Sequence, residues 1–599
     1  MRRLSIFILS ILVAALSVLF INHQAHAATY TVTTNADSGA GSLRQAITDA
    51  NASVGVADTI DFNIAGAGVH TITLLSALPA ITDPVTIDGS TQPGSICGTL
   101  VPSTMPGTNT PHTLTVEIDG GGQAINLITL GAGSGGTEIK GLVLNNATGS
   151  GIVVAANGAG SFTIDCNYIG TNSAGTATGN LTGQGVSANF SSNTITIQNN
   201  LISGTSTAIG INSNVMNISG NLIGTDVNGT SAIANTGAGV TLYSSSNSTV
   251  NHNVVSGNGS TGVGFDSGSN MTFTGNVIGL GIDGNALGNN GDGVSFFAVN
   301  NFTIGGVSSA QRNIISANTG NGLHIYNNCN GSPSQSIGST TYNNYIGTQM
   351  DGSVKTGFGN SAAGIEVNEY YGGCVSVYKH IIGGDGAGQA NIIAGNTNQG
   401  ILIHQGSGYD VFSITTIGNS IYANGQFGID LASDSDNNSG IADTDLGPNV
   451  INNFLMSYPA INANYYINRP TINSTSVSGN QLTVNYNYQA NGVEASGDGV
   501  SLLPTDLVGY RLDFYLNNGT QDGAYPGYAQ GRTHLGSFIV NGSETNATHT
   551  FTSPINFVGS QNVTVTSTVL WQNIPDPSNN CGNRAGAGPP YYISSNGCN

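Results

Sequence analysis

A short phrase of glycine, an apolar residue, any residue, a usually apolar residue and any residue returns ten times. It begins at Gly151, Gly185, Ala208 (the one departure from Gly), Gly239, Gly262, Gly293, Gly322, Gly364, Gly400 and Gly428. The intervals are 34, 23, 31, 23, 31, 29, 42, 36 and 28 residues. A second phrase, Asn-x-Ile/Val, runs in step with it at Asn167, Asn200, Asn221, Asn253, Asn276, Asn313, Asn344, Asn391 and Asn419. Short strands alternating with Gly and Asn corners at a period of about 20–30 residues, without a helical pattern, specify an all-β parallel solenoid. Its longer coils carry an insertion after the Asn phrase, as in Ile169-Gly170-Thr171 and Ile223-Gly224-Thr225. Asn suits a recurring corner because it tolerates left-handed backbone and because its amide can bond the corner above and below.

The composition narrows the partners. Of 599 residues, 87 are glycine, 31 acidic and only 11 basic. That is too few cations to hold nucleic acid or an anionic membrane. Arg2 and Arg3, the apolar run Leu4 to Ile21 and the small-x-small site Ala25-His26-Ala27 read as a signal peptide over residues 1–27, with cleavage favoured over retention as an anchor. The mature chain then carries 9 basic and 31 acidic residues, a net charge of −22, and no stretch able to span a bilayer. The expected location is extracellular or at the cell surface. Six cysteines bound for an oxidising compartment suit disulfides, and none stands at zinc-finger spacing. Cys581 with Cys598 is one of many pairings and would staple the tail.

An open solenoid needs caps. Ser42 to Ala50, with Leu43, Ala46, Ile47 and Ala50 on one face and a Ser42/Gln45 capping box, predicts a helix over the first coil. After Pro470 the period changes to two, over Thr471 to Ser478, Gln481 to Tyr488, Tyr510 to Leu516, His534 to Val540, Thr548 to Thr552 and Asn562 to Val569. This predicts a small β-sandwich. The expected organisation is a cap and first coils over 28–140, repeats over 141–465, a sandwich over 470–575 and a tail over 576–599.

The stretch from Asp37 to Ile47, followed by Asp58-Thr59-Ile60 and by Val85 to Gly94, resembles secreted bacterial right-handed β-helix proteins with a CSLREA-type N-terminal motif. Gly41 and Gln45 replace that motif's Cys and Glu. The Ile-Gly-Gly and Asn-Ile-Ile phrases at 304–317 and 382–394 are similar to the same family. The resemblance covers roughly residues 29–465. It implies a right-handed, pectin-lyase-like superhelix, with the sandwich similar to an Ig-like module. That superfamily includes lyases, hydrolases, epimerases and adhesins, so fold alone does not give the chemistry.

Polygalacturonase-type phrases do not occur. Lys140, Arg312, Lys355 and Lys379 are the only cations within the coils, which disfavours cleavage of a polyanion. If the first and third residues after each repeat Gly point inward, the second and fourth form outward columns. The second-position column ends His324, Glu366, Leu402, Asp430, and the fourth runs through Tyr243, Asp266, Phe297, Tyr326, Asn368 and His404. These mixed columns argue against ice binding, which needs a repeated outward Thr. Tyr243, Phe297, Tyr326, Asn368 and His404 are the expected glycan contacts. Glu366 and Asp430, about 10 Å apart on two rungs, are the candidate acid and base of a catalytic version, with His324 beside them. Asp434, Asp436, Asn438 and Asp445 fall at positions 1, 3, 5 and 12 of an EF-hand-like loop and are candidate calcium ligands. Asp283 and Asp351 read as turn formers. The expected function is glycan binding or a structural, adhesive role by a monomer. The alternative is a polysaccharide-active hydrolase or lyase.

Overall fold

A computed structural model describes residues 26–155, 160–189, 193–212, 215–327, 336–369, 377–404, 411–432, 470–488, 507–517, 531–552, 562–571 and 591–594. Up to residue 432 the chain winds as a parallel β-helix of three long sheets with 13, 12 and 11 strands. Each coil passes through the first sheet, turns at the Asn corner into a short strand of the second, and enters the third at the Gly phrase. Thr194–Gln198, Leu201–Ile202 and Ile209–Asn212 form one such coil. Right-handed winding is the sense that twisted strands impose on parallel crossovers. Inward side chains from all three sheets make one continuous core. Within it Phe265, Phe296 and Phe302 stack at centroid distances of 4.5 and 4.2 Å.

Two ladders of asparagine hold the corners. Along the expected one, from Asn167 to Asn419, each Nδ2 donates to the Oδ1 of the next rung at 2.8–3.1 Å. The same Oδ1 accepts the preceding Asn's backbone N–H, as Asn276 does from Asn253 at 3.0 Å. None of these nine asparagines has a positive φ. In seven of the nine corners the left-handed residue is the one before: Cys166, Asn199, Gly220, His252, Gly275, Asn343 and Gly418. The ladder residue must keep its amide aimed along the solenoid axis, so the preceding residue takes the bend. A second, unexpected ladder runs through Asn235, Asn258, Asn289, Asn318, Asn360, Asn396 and Asn424 at 2.8–3.0 Å.

The cap is the helix α1, Leu43–Ala52, whose buried residues are Leu43, Ala46, Ile47 and Ala50. Half of the expected capping box forms. Ser42 Oγ accepts from Gln45 N at 3.2 Å, but the Ser42 N–H goes to Gly39 O and the Gln45 amide reaches forward to Asp49. Gly41, where the resembled motif has Cys, sits at φ +76°, and a Cβ there would collide with Thr33 Oγ1.

The second sheet's outward column is apolar and covered. Val143, Tyr168, Leu201, Leu222, Val254, Val277 and Ile314 pack beneath Leu100, Val101 and Leu114 and the inserted residues Val227, Leu280, Ile282 and Phe358. The segment 96–113 is an antiparallel strap with bridges Ile96 to Thr113 and Thr99 to Thr110. A Cys97–Cys166 disulfide pins one end. Farther along, Asn109 Nδ2 donates to Val227 O at 2.8 Å and Gly107 N to Ile282 O at 2.9 Å. The other four cysteines, and with them the expected tail staple, lie outside the described residues.

Beyond the solenoid, two antiparallel sheets of three and four strands enclose Leu482, Val484, Tyr486, Leu512, Phe514 and Phe551. Tyr591–Ser594, from the stretch expected as tail, pairs with the edge strand Asn562–Trp571. This module meets the last described coil. Ile421 N donates to Gly531 O at 2.6 Å, and the Arg532 guanidinium lies 4.4 Å over the Tyr422 ring. Arg511 bridges Asp385 of the solenoid and Asp513, the latter at 2.7 Å, while His534 bonds Asp513 at 2.9 Å. Among the described residues, no helix is long and apolar enough to cross a membrane.

Candidate functional site

The third sheet aligns the expected outward columns. Ser295, His324, Glu366, Leu402 and Asp430 are successive register partners, as are Tyr243, Asp266, Phe297, Tyr326, Asn368 and His404. Glu366 and Asp430 therefore stand two rungs apart with Leu402 between. Of His404 and Asp430 only the strand positions lie within the described structure.

The middle of this face is closed rather than open. His324 and Glu366 are each 5% exposed and Asn368 1%, whereas Tyr243 is 44% exposed. The expectation of a fully exposed sheet is thus corrected for His324, Glu366 and Asn368. Their polar atoms are engaged in a closed ring of hydrogen bonds that includes two residues missed in the sequence, Asp292 and Asn321. The backbone N–H of Asn321 donates to Asp292 Oδ1 at 2.7 Å and its Nδ2 to Glu366 Oε2 at 2.6 Å. Asn368 Nδ2 donates to Glu366 Oε1 at 2.7 Å. His324 closes the ring, with Nδ1 2.9 Å from Asp292 Oδ2 and Nε2 3.2 Å from Asn368 Oδ1.

The polarity of this ring favours the protonated imidazole. Asn368 turns its N–H toward Glu366, so its oxygen faces Nε2 and needs a proton there, and the Asp292 carboxylate needs one on Nδ1. Both are present only in the imidazolium. Burial opposes that charge, but Asp292, Glu366 and the Asn368 oxygen outweigh it and raise the His324 pKa above its ordinary value. Tyr326 stacks on the imidazole at 4.2 Å and 18°, and Phe297 lies 5.2 Å from Tyr326. The stacked imidazole fixes the orientation of the Tyr326 ring.

Asp292 and Asn321 each immediately precede a repeat glycine, Gly293 and Gly322. A reading of columns that starts at the glycine passes them over, although their place in the repeat is the available signal. The solenoid cations lie elsewhere. Lys140 pairs with Asp88 at 3.1 Å on the first sheet, Arg312 stacks on Tyr345 at 4.0 Å and Lys355 on Phe358 at 5.0 Å. Asp283 and Asp351 are turn formers, bonded to Asn285 N at 3.0 Å and Ser353 N at 2.9 Å. The candidate calcium loop from Asp434 to Asp445 lies outside the described residues. Among those described, no three His, Cys, Asp or Glu converge to hold a metal.

No family model matches the chain, and no curated protein matches it. Solved structures similar to it include the A-module of mannuronan C-5 epimerase AlgE4 from Azotobacter vinelandii, at 14% identity and TM-score 0.39, over 66% of this chain and 99% of that one. The Dettilon tailspike protein is similar at 11% identity and TM-score 0.35, over 91% of this chain and 93% of that one. An α-1,3-glucanase from Streptomyces thermodiastaticus is similar at 12% identity and TM-score 0.28, over 69% of this chain and 66% of that one. Likeness at this level carries no argument about chemistry; the parallel β-helix stands on the chain's own strand pairing.

Proposed function

We propose that the third sheet binds a neutral or weakly charged extracellular glycan, and that the chain is exported and acts as a monomer. The observation that carries this reading is the aligned row Tyr243, Asp266, Phe297 and Tyr326, with Tyr326 stacked on the His324 ring. The rings of Tyr243, Phe297 and Tyr326 offer apolar faces to sugar rings, and Asp266 accepts from hydroxyls between them. Asn368 and Glu366 serve by positioning His324, and His404 continues the row. A polyanion is disfavoured by the chain's negative charge. Replacing Phe297 and Tyr326 together by Ala should abolish retention on a polysaccharide panel while leaving circular dichroism unchanged. Undiminished retention would sink the reading.

A catalytic reading comes second. Glu366 is held by two amide donors beside a charged His324, which keeps an acid and a base in one network. Asp430, two rungs on, would complete a pair around water. Chain cleavage lost in both Glu366→Gln and Asp430→Asn would support it. Calcium at Asp434, Asp436, Asn438 and Asp445 enters this reading on spacing alone.

A further inference from the structure

The first sheet presents a rank of threonines that neither the strap nor the aromatic row covers. Its register aligns Thr29, Thr59, Thr86, Glu138, Thr163, Thr196, Asn217, Thr249, Thr272, Thr303, Thr340, Ile381 and Thr415. From Thr163 to Thr340, six of seven positions are Thr. All six are partly exposed and Asn217 is exposed. Seven rungs at about 4.8 Å make a row about 29 Å long. Beside it runs a rank of hydrogen-bonding side chains, Asp165, Gln198, Ser219, Asn251 and Thr274, of which only Asp165, on the first rung, is ionisable.

Strand propensity does not account for this choice, because Val, Ile and Tyr favour strands as strongly as Thr. The outward columns of the other two sheets are mixed or apolar. The row is also held to an even spacing. The first Asn ladder borders this sheet, and in most coils its Asn follows the aligned residue by four positions, as in Thr196 and Asn200 or Thr272 and Asn276. Such side-chain ladders keep a sheet flat over many strands.

A flat, charge-free row of identical groups at one period is matched by a partner with the same period. A flexible chain has none, and a folded protein has one only where it exposes a ranked sheet like this one. Each Thr offers a hydroxyl that bonds water and a methyl that restricts its neighbours, and the rung repeat is close to the oxygen repeat on the prism faces of ice. We propose that the first sheet, over Thr163 to Thr340, is an ice-binding face, separate from the glycan site on the third sheet. This reverses the expectation drawn from the third sheet's mixed columns.

The test is uptake into slowly grown ice. The full chain should be enriched in the ice several-fold over a non-binding protein of similar size and should inhibit recrystallisation. Thr249→Tyr with Thr272→Tyr should reduce both effects to the control level with the circular dichroism unchanged, while Tyr243→Ser on the third sheet should leave them intact. If the tyrosine pair unfolds the chain, Thr196→Lys with Thr249→Lys makes the same test with exposed charges. Wild-type chain left in the liquid overturns the proposal. So does equal uptake of a folded face variant, or retention on microcrystalline cellulose without uptake into ice.

Discussion

His324 and His380 respond to acid in opposite senses, and each does so because of what its ring nitrogens meet. His380 is fully buried in the core against Phe302, with Ser339 Oγ 2.6 Å from Nδ1 and Ser336 O 3.2 Å from Nε2. Burial pushes its pKa down to about 4, against the opposing bond to Ser336 O. Its ordinary value is 6.5, so between pH 6.5 and 4 the unfolded chain takes up a proton that the folded chain refuses. Stability therefore falls with acid across that window, by on the order of 3 kcal/mol at its lower end. His324, with a raised folded pKa, adds stability that is full below the unfolded pKa and is lost as pH rises through the folded one. Denaturant titrations at pH 7 and pH 4 should show the acid loss in wild type and a clearly smaller loss in His380→Leu. An equal loss in both would assign the acid sensitivity to other groups.

The unit of this fold is the coil, and a ladder asparagine does more than its share of the bonding. Asn276 donates to Asn313, Val250 O and Thr274 O, and accepts twice from Asn253. Removing it leaves buried N–H and C=O groups on both adjoining rungs unpaired, so Asn276→Ala should cost about 2–4 kcal/mol. Asn217→Ala, on the exposed rank of the same sheet, should stay within about 0.5 kcal/mol. Chemical denaturation of the two variants checks the contrast. The repeat phrases were enough to place both third-sheet columns in register, because a period of two with an apolar inner face leaves one alignment. They did not expose the second ladder. In short coils its Asn follows the first by five residues, as in Asn253 and Asn258, but the insertion separates Asn276 from Asn289 by thirteen. The Thr rank is not legible in columns that start at the repeat glycine, because the first sheet lies upstream of it. The burial of His324 and Glu366 arises from packing across rungs, which a single coil's sequence does not encode.

At the scale of the whole molecule, the C-terminal module packs on the last described coils of the solenoid, and magnitudes say which contact matters. Asp385 is about half exposed, so its pairing with Arg511 contributes little. Arg511 and Asp513 are almost fully buried, and Arg511 and His534 together hold the Asp513 carboxyl below the usual range against the opposing effect of burial. Asp385→Ala should therefore shift thermal unfolding by little, whereas Arg511→Ala should destabilise the module by about 3–5 kcal/mol by stranding Asp513. Calorimetry should then show the module melting before the solenoid; a single unshifted transition would contradict this. The strap over the second sheet has a different consequence. It is anchored at Cys166, at Val227 and at Ile282, and a stretch of chain of fixed length joins these points. Elsewhere a whole coil can be gained or lost while every ladder bond finds an equivalent partner, so the solenoid can grow or shrink by duplication. Between Cys166 and Ile282 it cannot, because one coil more or fewer would carry an anchor out of reach. The strap is a ruler, and it sets the number of coils in that part of the chain.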